Sequence, residues 1–132
     1  MQFTAKWSFE VNLVPQELAI SHDLPGLSRM SIEKRYSGTL EATGRGEMLS
    51  FNAQVKGSAG YVAIERVTGT LQGRRGSFVI QHSGTMNRGI PSLTIAVVPD
   101  SGTEELAGLQ GTMAIDSVDG RHSYTLQFDI PS

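Results

Sequence analysis

Glu65 and His82 are the two residues of this sequence whose types and spacing best suit proton chemistry. Each lies in a segment of alternating polarity and falls on its apolar side, which faces the core of a sheet. If Leu71 pairs with Gly76 across a loop at residues 72–75, counting outward places Glu65 directly opposite His82. A carboxylate beside an imidazole fixes its tautomer and stabilises the imidazolium. We predict Glu65 and His82 as candidate catalytic residues; the alternative is a buried pair that only fixes the strand register.

Lys34 also falls on the apolar side of its segment, beside Ile32 and Tyr36. A buried lysine needs a partner, which Glu65 can provide, and its ammonium could then bind a carboxylate or a carbonyl ligand. The alternative is that Lys34 lies near a strand end and extends to water. The three tyrosines either offer hydroxyls to a ligand or are core aromatics with an exposed hydroxyl. The predicted ligand-binding residues are therefore Lys34, Tyr36, Tyr61, Glu65, His82 and Tyr124.

The other residues capable of chemistry form no recognisable motif. His122 adjoins a turn and is expected at a rim, and His22 lies in a long connection. The three histidines lack the spacing of metal ligands, so we predict no metal and no cofactor. Glycines at positions 69, 73 and 76 lack the lysine and the helix of a phosphate-binding loop.

Alternation of apolar and polar residues with a period of two predicts strands along nearly the whole chain. The predicted strands cover residues 3–13, 30–42, 49–55, 61–71, 76–86 and 92–98, followed by a C-terminal hairpin. Gly44-Arg45-Gly46 is expected to turn the chain between two of these strands. The connection at residues 15–27 allows at most one helical turn.

About eight short strands predict an all-β fold. An open sheet of that many strands has exposed edges, and closing it into an antiparallel barrel removes them. Asp119-Gly120 is typical of a type I′ hairpin turn and pairs Val118 with Arg121. We predict one small closed barrel domain over residues 1–132, with a β-sandwich as the alternative.

Composition argues against several classes of function. The formal net charge is -2 and no basic run exceeds Arg74-Arg75, so neither nucleic acid nor a membrane surface is an expected partner. No segment approaches the roughly 18 apolar residues that a membrane helix needs. The chain has no cysteine, which excludes disulfides and thiolate chemistry. Its first residues alternate in polarity and do not form a signal peptide, so we expect a cytoplasmic protein.

Several runs of this sequence resemble an uncharacterised bacterial family of unknown function. The runs are GYVAIERVTGTL (60–71), GSFVIQHSGT (76–85), VPDSGT (98–103) and ELAGLQG (105–111). That family is similar in fold to the allene oxide cyclase and dirigent barrels, and the resemblance implies an eight-stranded barrel with a cavity in a homo-oligomer, dimer or higher. It implies no known reaction. Glu104 departs from the pattern, because family members often have a glycine there.

Two functions remain open. The first is a barrel that binds an apolar small molecule carrying a carboxylate or a carbonyl, with proton transfer of the isomerase or cyclase kind as its enzymatic form. The second is a non-catalytic oligomeric module with a filled barrel. The large inward residues that would fill it are Trp7, Phe9, Phe51, Phe78 and Phe128. A cavity of about 300 Å³ or more touching Glu65 and His82 would favour the first function.

Overall fold

Eight antiparallel strands follow one another in chain order round a closed barrel in the computed structural model, which describes residues 2–20 and 24–131. They are β1 (Phe3–Gln16), β2 (Leu27–Tyr36), β3 (Leu40–Asn52), β4 (Ala59–Leu71), β5 (Arg74–Asn87), β6 (Ile90–Val97), β7 (Gln110–Val118) and β8 (Arg121–Asp129). Because β1 pairs with both β2 and β8, the sheet has no break. The predicted all-β closed barrel is confirmed, and the β-sandwich alternative is wrong.

The C-terminal hairpin has the predicted register. Asp119 and Gly120 have φ of 53° and 77°, as both central residues of a type I′ turn require. Val118 pairs with Arg121 on either side of them. Among the described residues, no helix has the length and apolar character needed to cross a membrane.

The hairpin between β4 and β5 is offset by two residues from the prediction. Its turn is Gln72-Gly73, with φ of 52° and 79°, and Leu71 pairs with Arg74. Arg74-Arg75 therefore begins β5 and does not form the hairpin tip. An offset of two leaves every side chain on its predicted face, because successive strand residues alternate between faces. Glu65 consequently remains inside the barrel, although its direct partner is Ile80.

The predicted boundary between β2 and β3 was wrong. The chain turns at residues 37–39, and Gly44-Arg45-Gly46 lies inside β3 as regular strand. Leu40, Gly44 and Gly46 lie at inward positions of β3, and the inward residues are those with the same parity. Phe51 has the opposite parity and is 47% exposed on the outer face, so it cannot fill the barrel.

Trp7 was also wrongly assigned to the barrel interior, since 66% of it is exposed. It lies where the turn after β2 crosses β1, with its Cβ against Gly38. The interior at this level contains Tyr124, the register partner of Trp7, which is buried in edge-to-face contact with Tyr36.

The strand β1 extends to Gln16, so residues 16–20 contain no helical turn.

One end of the barrel is filled and the other is open. The buried side chains of the filled end are Leu40, Leu71, Phe78, Val97, Leu106, Leu109 and Phe128. A turn of 3-10 helix, Glu104–Leu106, begins with Glu104 at φ 53° and packs Leu106 over Gly76. At the opposite end, Met86 and Leu93 are each 40% exposed. The barrel is therefore closed by apolar side chains at one end and open at the other.

Candidate functional site

A buried polar cluster lies between the filled base and the open end. Glu65 is 0% exposed, His82 3% and Lys34 9%. They come from β4, β5 and β2, and their inward parity follows from the same alternation that buries Val67 and Ile80. The predicted Glu65–His82 contact is present, since Glu65 Oε1 lies 3.3 Å from His82 Nε2.

The Glu65 carboxylate is the centre of this cluster. Its Oε2 accepts a hydrogen bond of 2.6 Å from the Tyr36 hydroxyl. Its Oε1 lies 3.0 Å from Lys34 Nζ. The alternative in which Lys34 extends to water is therefore wrong: its side chain is 6% exposed and ion-paired. The Lys34 ammonium also lies 5.0 Å from the centre of the Phe9 ring, a cation–π distance.

Two glycines of β3 make this cluster possible, and their role was not recognised in the sequence. Gly44 pairs with Lys34 on one side, and Gly46 pairs with Glu65 on the other. A Cβ on Gly44 would lie 2.0 Å from Glu65 Oε2, so any side chain there would occupy the space of the carboxylate. The signal was two glycines at i and i+2, which share one face of a strand.

His82 connects the carboxylate to Tyr61. The Tyr61 hydroxyl lies 3.4 Å from His82 Nδ1. An ionised carboxylate only accepts hydrogen bonds, so we infer that the imidazole proton lies on Nε2, which leaves Nδ1 as the acceptor for Tyr61. The Nε2–Oε1 contact has an ion-pair distance, but neither atom has a partner with regular hydrogen-bond geometry. The polar contacts therefore run from Tyr61 through His82 to Glu65.

The electrostatics keep Glu65 ionised and the tyrosines protonated. Burial raises the pKa of Glu65, but the contact with His82, the charge of Lys34 and the hydrogen bond from the Tyr36 hydroxyl together lower it below its ordinary value. Burial, the charge of Glu65 and the hydrogen bond to that carboxylate raise the pKa of Tyr36. Burial and the Glu65 charge likewise raise the pKa of Tyr61.

The Tyr124 ring packs on Tyr36, but its hydroxyl bonds to backbone groups and not to Glu65. Its hydroxyl accepts a hydrogen bond from the backbone N–H of Leu40 at 3.0 Å and donates one to the carbonyl of Ser37 at 2.9 Å. Burial raises the pKa of this hydroxyl. These two hydrogen bonds link β8 to the turn between β2 and β3.

His122 lies near the start of β8, close to the turn as predicted. Its Nδ1 is 2.8 Å from Ser117 Oγ, and its ring stacks on Phe9. His22 falls outside the described residues. In the described part of the chain, no group of three or more His, Asp or Glu side chains is arranged to hold a metal ion.

A groove of about 330 Å³ opens at the unfilled end of the barrel. We call it the mouth groove; its lining comes from β3, β4, β5 and β6 and includes Met48, Tyr61 and Met86. The groove is as large as the sequence analysis required, but Glu65 and His82 do not line it, so the full condition is not met. Tyr61 lines this groove and also contacts His82.

Comparison with known proteins gives a family and a solved relative. A family model described as a protein of unknown function (DUF3224) matches residues 5–128. A protein of unknown function of that family from Shewanella oneidensis MR-1, solved by crystallography, is 46% identical to this chain. The structural match has a TM-score of 0.93 and covers 100% of this chain and 99% of that one. No curated protein matches the chain.

Proposed function

We propose that this chain, which belongs to the DUF3224 family of proteins of unknown function, binds a small molecule in the mouth groove and exchanges a proton with it. One observation carries the proposal. Polar contacts run from Tyr61, which lines the groove, through His82 to the buried carboxylate of Glu65. We call these three residues the relay.

The cost of burying the Lys34–Glu65 ion pair beside the relay supports a role beyond folding. Burying charged groups is unfavourable, and apolar residues of similar volume often replace a buried ion pair without loss of stability. Here Lys34 and Glu65 are almost fully buried, and β3 has glycine beside both of them. A barrel that only needed a filled interior would be served by aliphatic side chains at these positions.

The relay can take a proton from a ligand and return it. A proton leaving the ligand binds to the Tyr61 oxygen as the Tyr61 hydroxyl proton moves to Nδ1 of His82. The ligand becomes an anion and His82 an imidazolium, which the adjacent Glu65 carboxylate stabilises. Reversal of these steps at a different ligand atom completes an isomerisation. Tyr61 is the catalytic residue of this scheme, and His82 and Glu65 act through it.

Native mass spectrometry of the protein purified without unfolding tests the binding. We expect a constant small mass in excess of the protein, which is lost when Ala59→Trp fills the mouth groove. Ala59 lines the groove and is not one of the three relay residues. Thr125→Trp, an outward substitution on the distant strand β8, is the control and should keep the mass. Protein that carries no added mass, or an added mass that Ala59→Trp retains, would contradict binding in the groove.

A second candidate function rests on a different surface. Leu49, Val62 and Ile64 are about half exposed on the outer faces of β3 and β4, where a groove of about 660 Å³ lies beside them. Arg29 and Glu47, the charged residues in the described part of its lining, pair with each other, so together they present no net charge to a second copy of this chain. This would make the protein an oligomeric module. Light scattering should then show an oligomer that Val62→Lys converts to a monomer; a wild-type monomer would refute it.

A further inference from the structure

We infer that the mouth groove selects a neutral, mainly apolar ligand with one carbonyl or hydroxyl oxygen, which hydrogen-bonds to Tyr61. This inference rests on the proposed binding in the groove and adds the chemical class of the ligand. It decides between the carboxylate and the carbonyl ligand that the sequence left open.

The described residues that line the groove are uncharged, since none of them is Asp, Glu, Lys, Arg or His. Its apolar surface comes mainly from Met48, Met86, Pro91 and Leu93. Methionine side chains are flexible and polarizable, and they make favourable contacts with aromatic rings. Such a lining suits an apolar ligand, including a flat ring system.

The Lys34 ammonium is not available to bind an anion here. It is ion-paired with Glu65 at 3.0 Å, its side chain is 6% exposed, and it does not line the mouth groove. A carboxylate entering the groove would lose its hydration without gaining a cation, which is unfavourable. The groove therefore disfavours anionic ligands.

Tyr61 offers the hydroxyl that is best placed for a ligand. The Ser50 hydroxyl is already paired with Ser28 at 2.8 Å. Thr85 and Ser92 are register partners with outward parity on β5 and β6, so their hydroxyls lie at the edge of the groove. The Tyr61 hydroxyl has one long contact, 3.4 Å to His82 Nδ1, so its proton can turn from that nitrogen toward a ligand carbonyl, or its oxygen can accept the proton of a ligand hydroxyl.

Gly84 allows the Tyr61 ring to take this position. A Cβ on Gly84 would lie 2.7 Å from Tyr61 Cε1 and 3.1 Å from Leu93 Cδ1. The ring therefore lies directly against the β5 backbone, with its hydroxyl near His82 at the inner side of the groove. One well-placed hydroxyl among mainly apolar side chains is a pattern that orients a ligand with one oxygen.

Three probes of the same size separate the ligand classes: 2-acetylnaphthalene, 2-ethylnaphthalene and 2-naphthoate. Binding is measured at pH 7.5 from the NMR signals of ¹³C-labelled methionine methyl groups. Met48 and Met86 report on the groove, and the buried Met113 serves as an internal control. We expect 2-acetylnaphthalene to bind about three- to tenfold more tightly than 2-ethylnaphthalene because of one added hydrogen bond. We expect 2-naphthoate to bind at least about tenfold more weakly than 2-acetylnaphthalene.

Two variants identify the hydroxyl responsible. Tyr61→Phe should abolish the preference for 2-acetylnaphthalene over 2-ethylnaphthalene, whereas Thr85→Val, which removes a hydroxyl at the groove edge, should keep it. Tighter binding of 2-naphthoate, or a ketone preference that persists in Tyr61→Phe, would overturn the inferred ligand class while leaving the groove as a binding site. If none of the three probes shifts Met48 or Met86, the proposed binding itself fails.

Discussion

The buried ion pair of Lys34 and Glu65 gives the sharpest prediction on stability. Replacing either residue with methionine leaves the other as a buried charge without its partner. Replacing both removes the two charges together and fills their space with apolar side chains of similar length. We therefore expect each single variant to be much less stable than the wild type, and the double variant to recover most of the loss.

The magnitudes follow from the geometry. At 3.0 Å, two unit charges attract by about 5.5 kcal/mol in an effective dielectric of about 20, before the cost of desolvation is subtracted. Removing one partner of a buried pair costs about 3–5 kcal/mol. Lys34→Met should show a loss of stability at the lower end of this range, because Glu65 keeps its hydrogen bond from Tyr36. The free energy of unfolding of the double variant should be within about 1 kcal/mol of the wild-type value, or higher than it.

Urea unfolding of all four proteins at pH 7 measures the coupling between the two positions. The single variants should also melt about 10–20 °C below the wild type. A double variant whose loss equals the sum of the two single losses would refute the reasoning, because the two side chains would then act independently. Single variants as stable as the wild type would refute it as well, since the charges would be solvated.

Three further predictions concern packing and pH. Gly44→Ala should lower the free energy of unfolding by about 1–3 kcal/mol, because its Cβ overlaps the Glu65 carboxylate; urea titration measures the loss, and no loss would contradict the overlap. Tyr124→Phe should lower the free energy of unfolding by a similar amount, because the Leu40 N–H and the Ser37 C=O lose their hydrogen bonds to this hydroxyl. An unchanged melting temperature would contradict a stabilising role for these two hydrogen bonds. Glu65 has a lowered pKa, so the contribution of its carboxylate to folding stability is complete above pH 4.5 and is lost as the pH falls further. Glu65→Gln should therefore reduce the loss of stability at acid pH, as measured by urea unfolding at a series of pH values. If stability falls equally with pH in the wild type and the variant, the acid sensitivity does not come from Glu65.

The strand pattern allowed the barrel to be predicted because period-two alternation is a local property. Turn geometry was predicted where the turn residues are distinctive, as at Asp119-Gly120. It was missed at Gln72-Gly73, where a glutamine occupies a position with positive φ. The strand boundary near Gly44 was misplaced because glycine marks turns more often than it makes room for a neighbouring side chain.

The sequence predicted which charged residues face the barrel interior, but not all the contacts that they make there. Inward parity identified Lys34, Glu65 and His82, and a two-residue register offset does not change parity. The contact between Tyr61 and His82 joins the neighbouring strands β4 and β5, and the register offset displaced it in the prediction. The hydrogen bond from Tyr36 to Glu65 depends on barrel curvature, which brings β2 and β4 together across β3. Pairwise counting along strands contains no information on such contacts.

The relay is tested most directly by proton exchange on a bound ketone. In D₂O, loss of the acetyl methyl proton signal of 2-acetylnaphthalene is followed by ¹H NMR with wild-type protein and with His82→Asn. The relay predicts exchange faster than in buffer alone, and a rate about 100-fold lower in His82→Asn, the size typical of general acid–base catalysis. Equal rates for the two proteins, or no acceleration by the wild type, would contradict proton transfer through Tyr61, His82 and Glu65.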